Sequence, residues 1–143
     1  MTTLNLDTAR SIIAGARAHG SSAGLKPLTV VVLDAGGHVV AAEREDGSSI
    51  KRFEIGFGKA YGALSLGMGS RSIMVRAEQQ PYFVAAVTSA VGGTLVPVPG
   101  GVLVRDLDGD LVGAVGVTGD TSDNDEAAAV AGIQSAGLTP QAD

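Results

Sequence analysis

Cysteine and tryptophan are absent from the 143 residues, and aromatic side chains make up only 3% of them. Without cysteine there is no disulfide, thiolate nucleophile, iron–sulfur cluster or Cys-ligated zinc. With so few aromatics the core must be built from Ala, Val, Leu and Ile. Such a core buries modest area per residue, so association between copies is an expected way to cover more. Basic residues are also scarce, 10 Lys and Arg against 15 Asp and Glu, for a net charge of −5. No basic run is interleaved with aromatics, which speaks against a nucleic-acid partner, because phosphate backbones reward basic surface. No apolar run approaches the roughly 20 residues needed to span a bilayer. The opening MTTLNLDTAR lacks the basic-then-apolar pattern of an export signal. The expectation is a cytoplasmic protein with no membrane partner.

What is present is 45% apolar and 17% charged, the composition of a folded chain. Its length suits one domain over residues 1–143. Residues 5–19 read as a helix with Asp7 in the first turn and Gly20 near the end; Leu6, Ala9, Ile12, Ile13 and Ala16 share a face. LTVVVLD and HVVAAER read as strands joined by the turn Ala35-Gly36-Gly37. Residues 48–67 follow as a helix holding Gly56, Gly58 and Gly62. Each interior glycine costs about 1 kcal/mol against alanine, which predicts another backbone packed very close. Residues 74–93 read as helical with a break at Pro81. GVLVRD and LVGAVGVTG form a second hairpin around the Asp108-Gly109 pair, and residues 121–137 a closing helix with Ser122 and Asp125 as a capping box. Hairpins imply antiparallel pairing, so the fold class is α+β: one mainly antiparallel sheet flanked by helices.

The stretch from Pro97 to Glu126 is dense in glycine and acid. Gly113, Gly116 and Gly119 recur every third residue, which is not the dinucleotide fingerprint, so no nucleotide is expected. Asp120, Asp123, Asp125 and Glu126 crowd the start of the closing helix and would repel a phosphate there. Asp123 and Asp125 are the candidate ligands for a hard cation; the alternative is that these acids only favour the helix start. VPVPGG pins the chain and then releases it, making Gly100 and Gly101 a candidate wall against a ligand or a neighbouring subunit.

Four segments in order, VVLDAGGHVVAAEREDG, IGFGKAYGAL, VPVPGGVLVRDLDGDLVGAVGVTGD and DNDEAAAVAGI, resemble the GlcG/HbpS-like proteins, often called the haem-degrading domain family. The resemblance covers roughly residues 5–138. It implies an α+β fold with profilin-like layering, assembly into dimers or octamers, and haem or corrinoid association in some members. By that resemblance haem is the cofactor to test, and His19 the candidate axial ligand. Tyr61-Gly62 follows the "KA" pair where many members carry Thr or Ala, which points to a ligand particular to this chain.

Lys59 matches that "KA" pair and lies on the most glycine-rich helix. A lysine there either pairs with a carboxylate or, once desolvated, moves a proton. Arg71 and Arg44 have the chemistry to clamp a substrate carboxylate, although Arg44 also has Glu43, Glu45 and Asp46 beside it. No Ser/His/Asp order or metalloprotease helix is present. Three readings stay open. One is an oligomer holding a haem-type tetrapyrrole or related small ligand. Another is a hydratase, lyase or isomerase in which Lys59, Asp125 and Glu126 do acid–base work on a carboxylate-bearing substrate. The third is a non-catalytic assembly module.

Overall fold

The computed structural model of the protein describes residues 3–143. Helix α1 (Leu6–Ala23) starts where the Asn5 side chain accepts the Thr8 N–H at 2.9 Å, with Asp7 in the first turn. It runs past Gly20, the expected end, and stops at Gly24 in the left-handed region. Strands β1 (Thr29–Asp34) and β2 (Val39–Arg44) follow as the expected hairpin. Helices α2 (Arg52–Leu66), α3 (Ser70–Gln79) and α4 (Pro81–Ala90) come next. Strands β3 (Gly101–Arg105) and β4 (Leu111–Thr118), helix α5 (Ser122–Ser135) and strand β5 (Thr139–Gln141) complete the chain.

The strands form one open antiparallel sheet in the order β2-β1-β4-β3-β5. β1 and β4 lie inside it, paired from Thr29 opposite Thr118 to Asp34 opposite Gly113. They are covered on both faces, which is why they read as near-continuous apolar runs. Val30, Val32, Val102, Val104, Val115 and Val117 face α1 and α5, where Ile12, Ile13, Ala128, Ala129 and Ile133 complete the larger cluster. Val31, Leu33, Leu103 and Ala114 face α2 and pack on Ala60 and Ala63. The two sides of the sheet therefore carry separate cores.

The predicted close approach at the α2 glycines is present. A Cβ on Gly116 of β4 would overlap the Gly56 carbonyl, and Gly62 and Gly58 lie against Leu95 and Val96. Three expectations need correcting. The segment after α2 is helical from Ser70, not from Met74; the expected break at Pro81 is present, with Gln80 outside the helical region and Pro81 starting a fresh helix. The cap of α5 is Thr121 rather than Ser122: its hydroxyl accepts the Asn124 N–H at 3.2 Å. β5 was not expected at all; its Pro140 is tolerated because the strand sits at the sheet edge.

Candidate functional site

The start of α5 gathers most of the charged residues singled out from the sequence. Lys59 reaches across from α2 and donates to the Val117 carbonyl at 3.0 Å and to Asp125 Oδ2 at 3.2 Å. Both side chains are only 2% exposed. Asp125 also accepts the Asp120 N–H at 2.9 Å. Burial pushes the Lys59 amine below its usual value, and the Asp125 charge pulls the other way. Arg71, at the start of α3, holds Glu126 with Nε at 3.0 Å and Asp123 with a terminal nitrogen. Arg71, expected to clamp a substrate carboxylate, thus grips Glu126 and Asp123, and Lys59 is paired with Asp125. Together they tie α2 and α3 to the acidic end of α5. Neither Lys59 nor Asp125 lines the cavities described below.

Gly100 and Gly101 belong to the same cluster for a packing reason. Gly100 has φ +126, and a Cβ there would lie 2.6 Å from the Val117 carbonyl oxygen and 2.8 Å from Lys59 Nζ. A Cβ on Gly101 would overlap the Lys59 carbonyl, and the Gly101 N–H donates to the buried Ser70 hydroxyl at 2.7 Å. These glycines wall in Lys59 rather than an open ligand space. Asp123 and Asp125, proposed together for a cation, have different partners, Arg71 and Lys59. The carboxylates that do converge are Asp106, Asp108 and Asp110, in the β3–β4 turn. There Asp106 accepts the N–H groups of Asp108 and Asp110 at 3.0 and 2.9 Å, which shapes the turn.

Two other candidates lie elsewhere. Arg44 donates to the Ser48 carbonyl, while its expected partners Glu43 and Glu45 are taken by Arg17 at 2.7 and 3.0 Å. His19 is half-buried on α1, on the side of the sheet away from α2. Its ring makes no hydrogen bond or ion pair among the described residues. His38, by contrast, bonds Asp34 across the β1–β2 turn.

Two cavities open on the α2 side. The first, about 350 Å³, is lined by Phe53, Phe57, Gly58, Thr94, Leu95 and Val96 among others. Phe53, Phe57 and Tyr61 stack along α2 with ring centroids 5.9 and 5.2 Å apart. The second wall of this slot is Gly93–Val96, which reaches only the first residue of VPVPGG; Gly100 and Gly101 do not line it. The second cavity, about 210 Å³, lies at the start of α2 between Arg52, Lys26, Ser48, Ser49, Gly47 and Gly119. Sequence reasoning passed over Arg52. The signal available was two serines after a glycine turn, followed by Lys-Arg at a helix start.

The class defined here is a layered α+β protein with a helix pair on one side of its sheet and a glycine-rich helix on the other. The charges singled out on α2, α3 and α5 are paired within the chain, and the cavity beside the α2 aromatics is apolar. The chain belongs to the HbpS-like family, described as haem degrading protein HbpS-like, whose model matches residues 4–134. Among solved structures, HbpS from Streptomyces reticuli, as a double mutant, shares 27% identity at a TM-score of 0.78, covering 94% of this chain and 87% of that one. The ORFY protein of Klebsiella pneumoniae has a TM-score of 0.84 at 23% identity, covering 96% and 92%. A PduOC:heme complex has a TM-score of 0.84 at 20% identity, covering 96% and 97%. At those last two identities the likeness is one of fold. Among curated proteins no match is found.

Proposed function

We propose that the protein is the subunit of a homo-oligomer that binds a haem-type tetrapyrrole, or a related flat apolar ligand, in the cavity beside Phe53 and Phe57. The observation that carries this reading is the slot itself: stacked aromatic rings on one wall, Leu95 and Val96 on the other, and Gly58 keeping the floor low. Its residues suit the face of a macrocycle. They include no His, Met or Tyr to serve as an axial ligand. At about 350 Å³ it is also at the small end of the ~300–1,000 Å³ typical of ligand sites.

His19 has a ring free to coordinate, but on the opposite side of the sheet. In this reading the slot of one chain and His19 of another complete a single site. The helix α4 supports association: only Val84 is buried along it, and Tyr82 is 71% exposed beside exposed alanines. In the HbpS-like family a haem ligand is the first to test, and the PduOC:heme complex has the same fold.

The test is a hemin titration of the protein read by absorbance, with mass analysis by light scattering on a sizing column. Thr94→Trp blocks the slot from a loop without disturbing α2 packing, and His19→Ala removes the ligand nitrogen. A saturable, stoichiometric Soret shift by an oligomer, weakened in both variants, is the expected result. A featureless titration of a folded oligomer would overturn the reading.

A further inference from the structure

The smaller cavity has a different chemistry. Arg52, the first residue of α2, donates to Ser49 Oγ at 3.0 Å and to Thr118 Oγ1 at 2.9 Å, and it has no carboxylate partner among the described residues. Arg17, Lys51, Lys59 and Arg71 each hold an acid, whereas Arg52 holds only hydroxyls beside a cavity. The guanidinium is half-buried and lines the cavity together with Lys26. Arg44, also without an acid, bonds the carbonyl of Ser48 just behind it. Asp120 accepts the Lys26 N–H and offsets the Lys26 charge, and no acid among the described residues lines the cavity.

The hydroxyls around this cation supply the second observation. Ser48 lines the cavity and is 7% exposed, yet its hydroxyl has no hydrogen-bond partner among the described residues. Thr29 is 1% exposed and equally without a partner; by register it lies opposite Thr118, the residue Arg52 holds. A buried donor left unpaired costs free energy, and few folded proteins keep one without a reason. The N-terminus of α2 is also uncapped, since Lys51 offers no side-chain acceptor to the first turn. A half-buried guanidinium, an orphaned hydroxyl and an uncapped helix start all ask for one thing, a bound acceptor carrying negative charge.

We infer that the cleft between Arg52, Ser48, Ser49 and Lys26 binds a small oxyanion. A carboxylate group of an organic acid or an inorganic phosphate supplies the same chemistry: two or three oxygens in reach of the guanidinium fork and the serine hydroxyls. The cavity volume of about 210 Å³ limits the ligand to a few heavy atoms beyond that group. The site shares no lining residue with the apolar slot, so it stands or falls independently of tetrapyrrole binding.

Calorimetric titration of the full chain tests it, in low-chloride buffer, with three probes: inorganic phosphate, succinate and acetate. Arg52→Met, which keeps the stem and removes the fork, is expected to weaken binding about tenfold or more, the scale of a charge-assisted pair. Arg10→Met, on exposed α1, serves as the control and is expected to bind as the parent does. Ser48→Ala is the more discriminating change, because it removes an unpaired hydroxyl. Without ligand its melting temperature should equal or exceed the parent's, while the rise that ligand produces shrinks. Saturation by phosphate alone makes this a phosphate site; saturation by succinate or acetate makes it an organic-acid site. The inference is overturned if no probe saturates, if Arg52→Met, folded by circular dichroism, binds as tightly as the parent, or if Ser48→Ala destabilises the ligand-free protein.

Discussion

The two sides of the sheet use the same device to opposite ends. On the α1–α5 side, glycine lets two helices touch: a Cβ on Gly132 would overlap the Ile12 carbonyl, and around that contact lies the larger core. On the α2 side, glycines let a helix press onto a strand at Gly56 and Gly116 and onto a loop at Gly58 and Gly62. There the helix carries stacked aromatics, and space remains on its flank and at its start. The apolar cavity lies on the α2 side, whereas the cavity bordering α1 is lined by Arg17, Ser21, Glu45 and Asp46 among others. Charge divides along α2 itself. Lys59 and Asp125 neutralise each other in the interior, whereas Arg52 faces a cavity without an acid. A conspicuous charged residue is thus a poor guide to a binding site until its partner is known.

The comparison breaks first at the buried pair. Lys59→Ala leaves Asp125 charged and uncompensated, and should lower unfolding free energy by about 3–5 kcal/mol, measured by urea denaturation. The paired change Lys59→Met with Asp125→Leu should recover much of that loss, since buried ion pairs replaced by apolar residues are often neutral. The glycine contacts come next. Gly116→Ala and Gly132→Ala each drive a methyl into a backbone carbonyl and should each cost about 1–3 kcal/mol. A clear cost on one side of the sheet only would show that the other side yields. Arg71→Ala removes a half-exposed network and should cost about 1 kcal/mol or less, falling further in high salt.

The smallest effect sharpens the link between α1 and α5. Asp120 is held down to about 2 by the Asn124 side chain and by the N–H groups of Lys26 and Thr121. Its folded value lies below its unfolded one, so its contribution is present above about pH 4 and is lost as the pH falls through about 2. Asp120→Asn should flatten that part of the acid unfolding curve, followed by circular dichroism from pH 5 to 2.

Much of the fold was legible because short Val-rich runs and helical patterns were bounded by turn residues that agreed with them. Both hairpins, α2 with its close glycines and the acidic start of α5 follow from the Val/Leu runs, Gly36-Gly37, Asp108-Gly109, the interior glycines and the acids from Asp120 to Glu126. β5 was missed because three residues with a proline carry no pattern and depend on β3 to exist as a strand. The start of α3 was hidden because Gly69 and the serines around Arg71 carry little helical pattern, and tertiary contacts to α5 and to Gly101 hold them in place. The site was less legible. Lys59, Arg71, Asp123, Asp125, Glu126, Gly100 and Gly101 do come together, but in pairings that no single sequence displays. Arg52 was invisible for a related reason: what distinguishes it is the cavity and the unpaired Ser48 hydroxyl that the fold places beside it.

The central claim is that the slot beside Phe57 and the ring of His19 serve one ligand from two different chains. Mixing Thr94→Trp subunits with His19→Ala subunits, after unfolding and joint refolding, tests it most directly. Neither variant alone should give the Soret shift of the parent. If slot and ligand come from different copies, random pairing restores about one quarter of the parental sites, because one of the two sites in each mixed pair is intact. No recovery in mixed oligomers of parental mass would contradict the claim and place both residues' roles within a single chain.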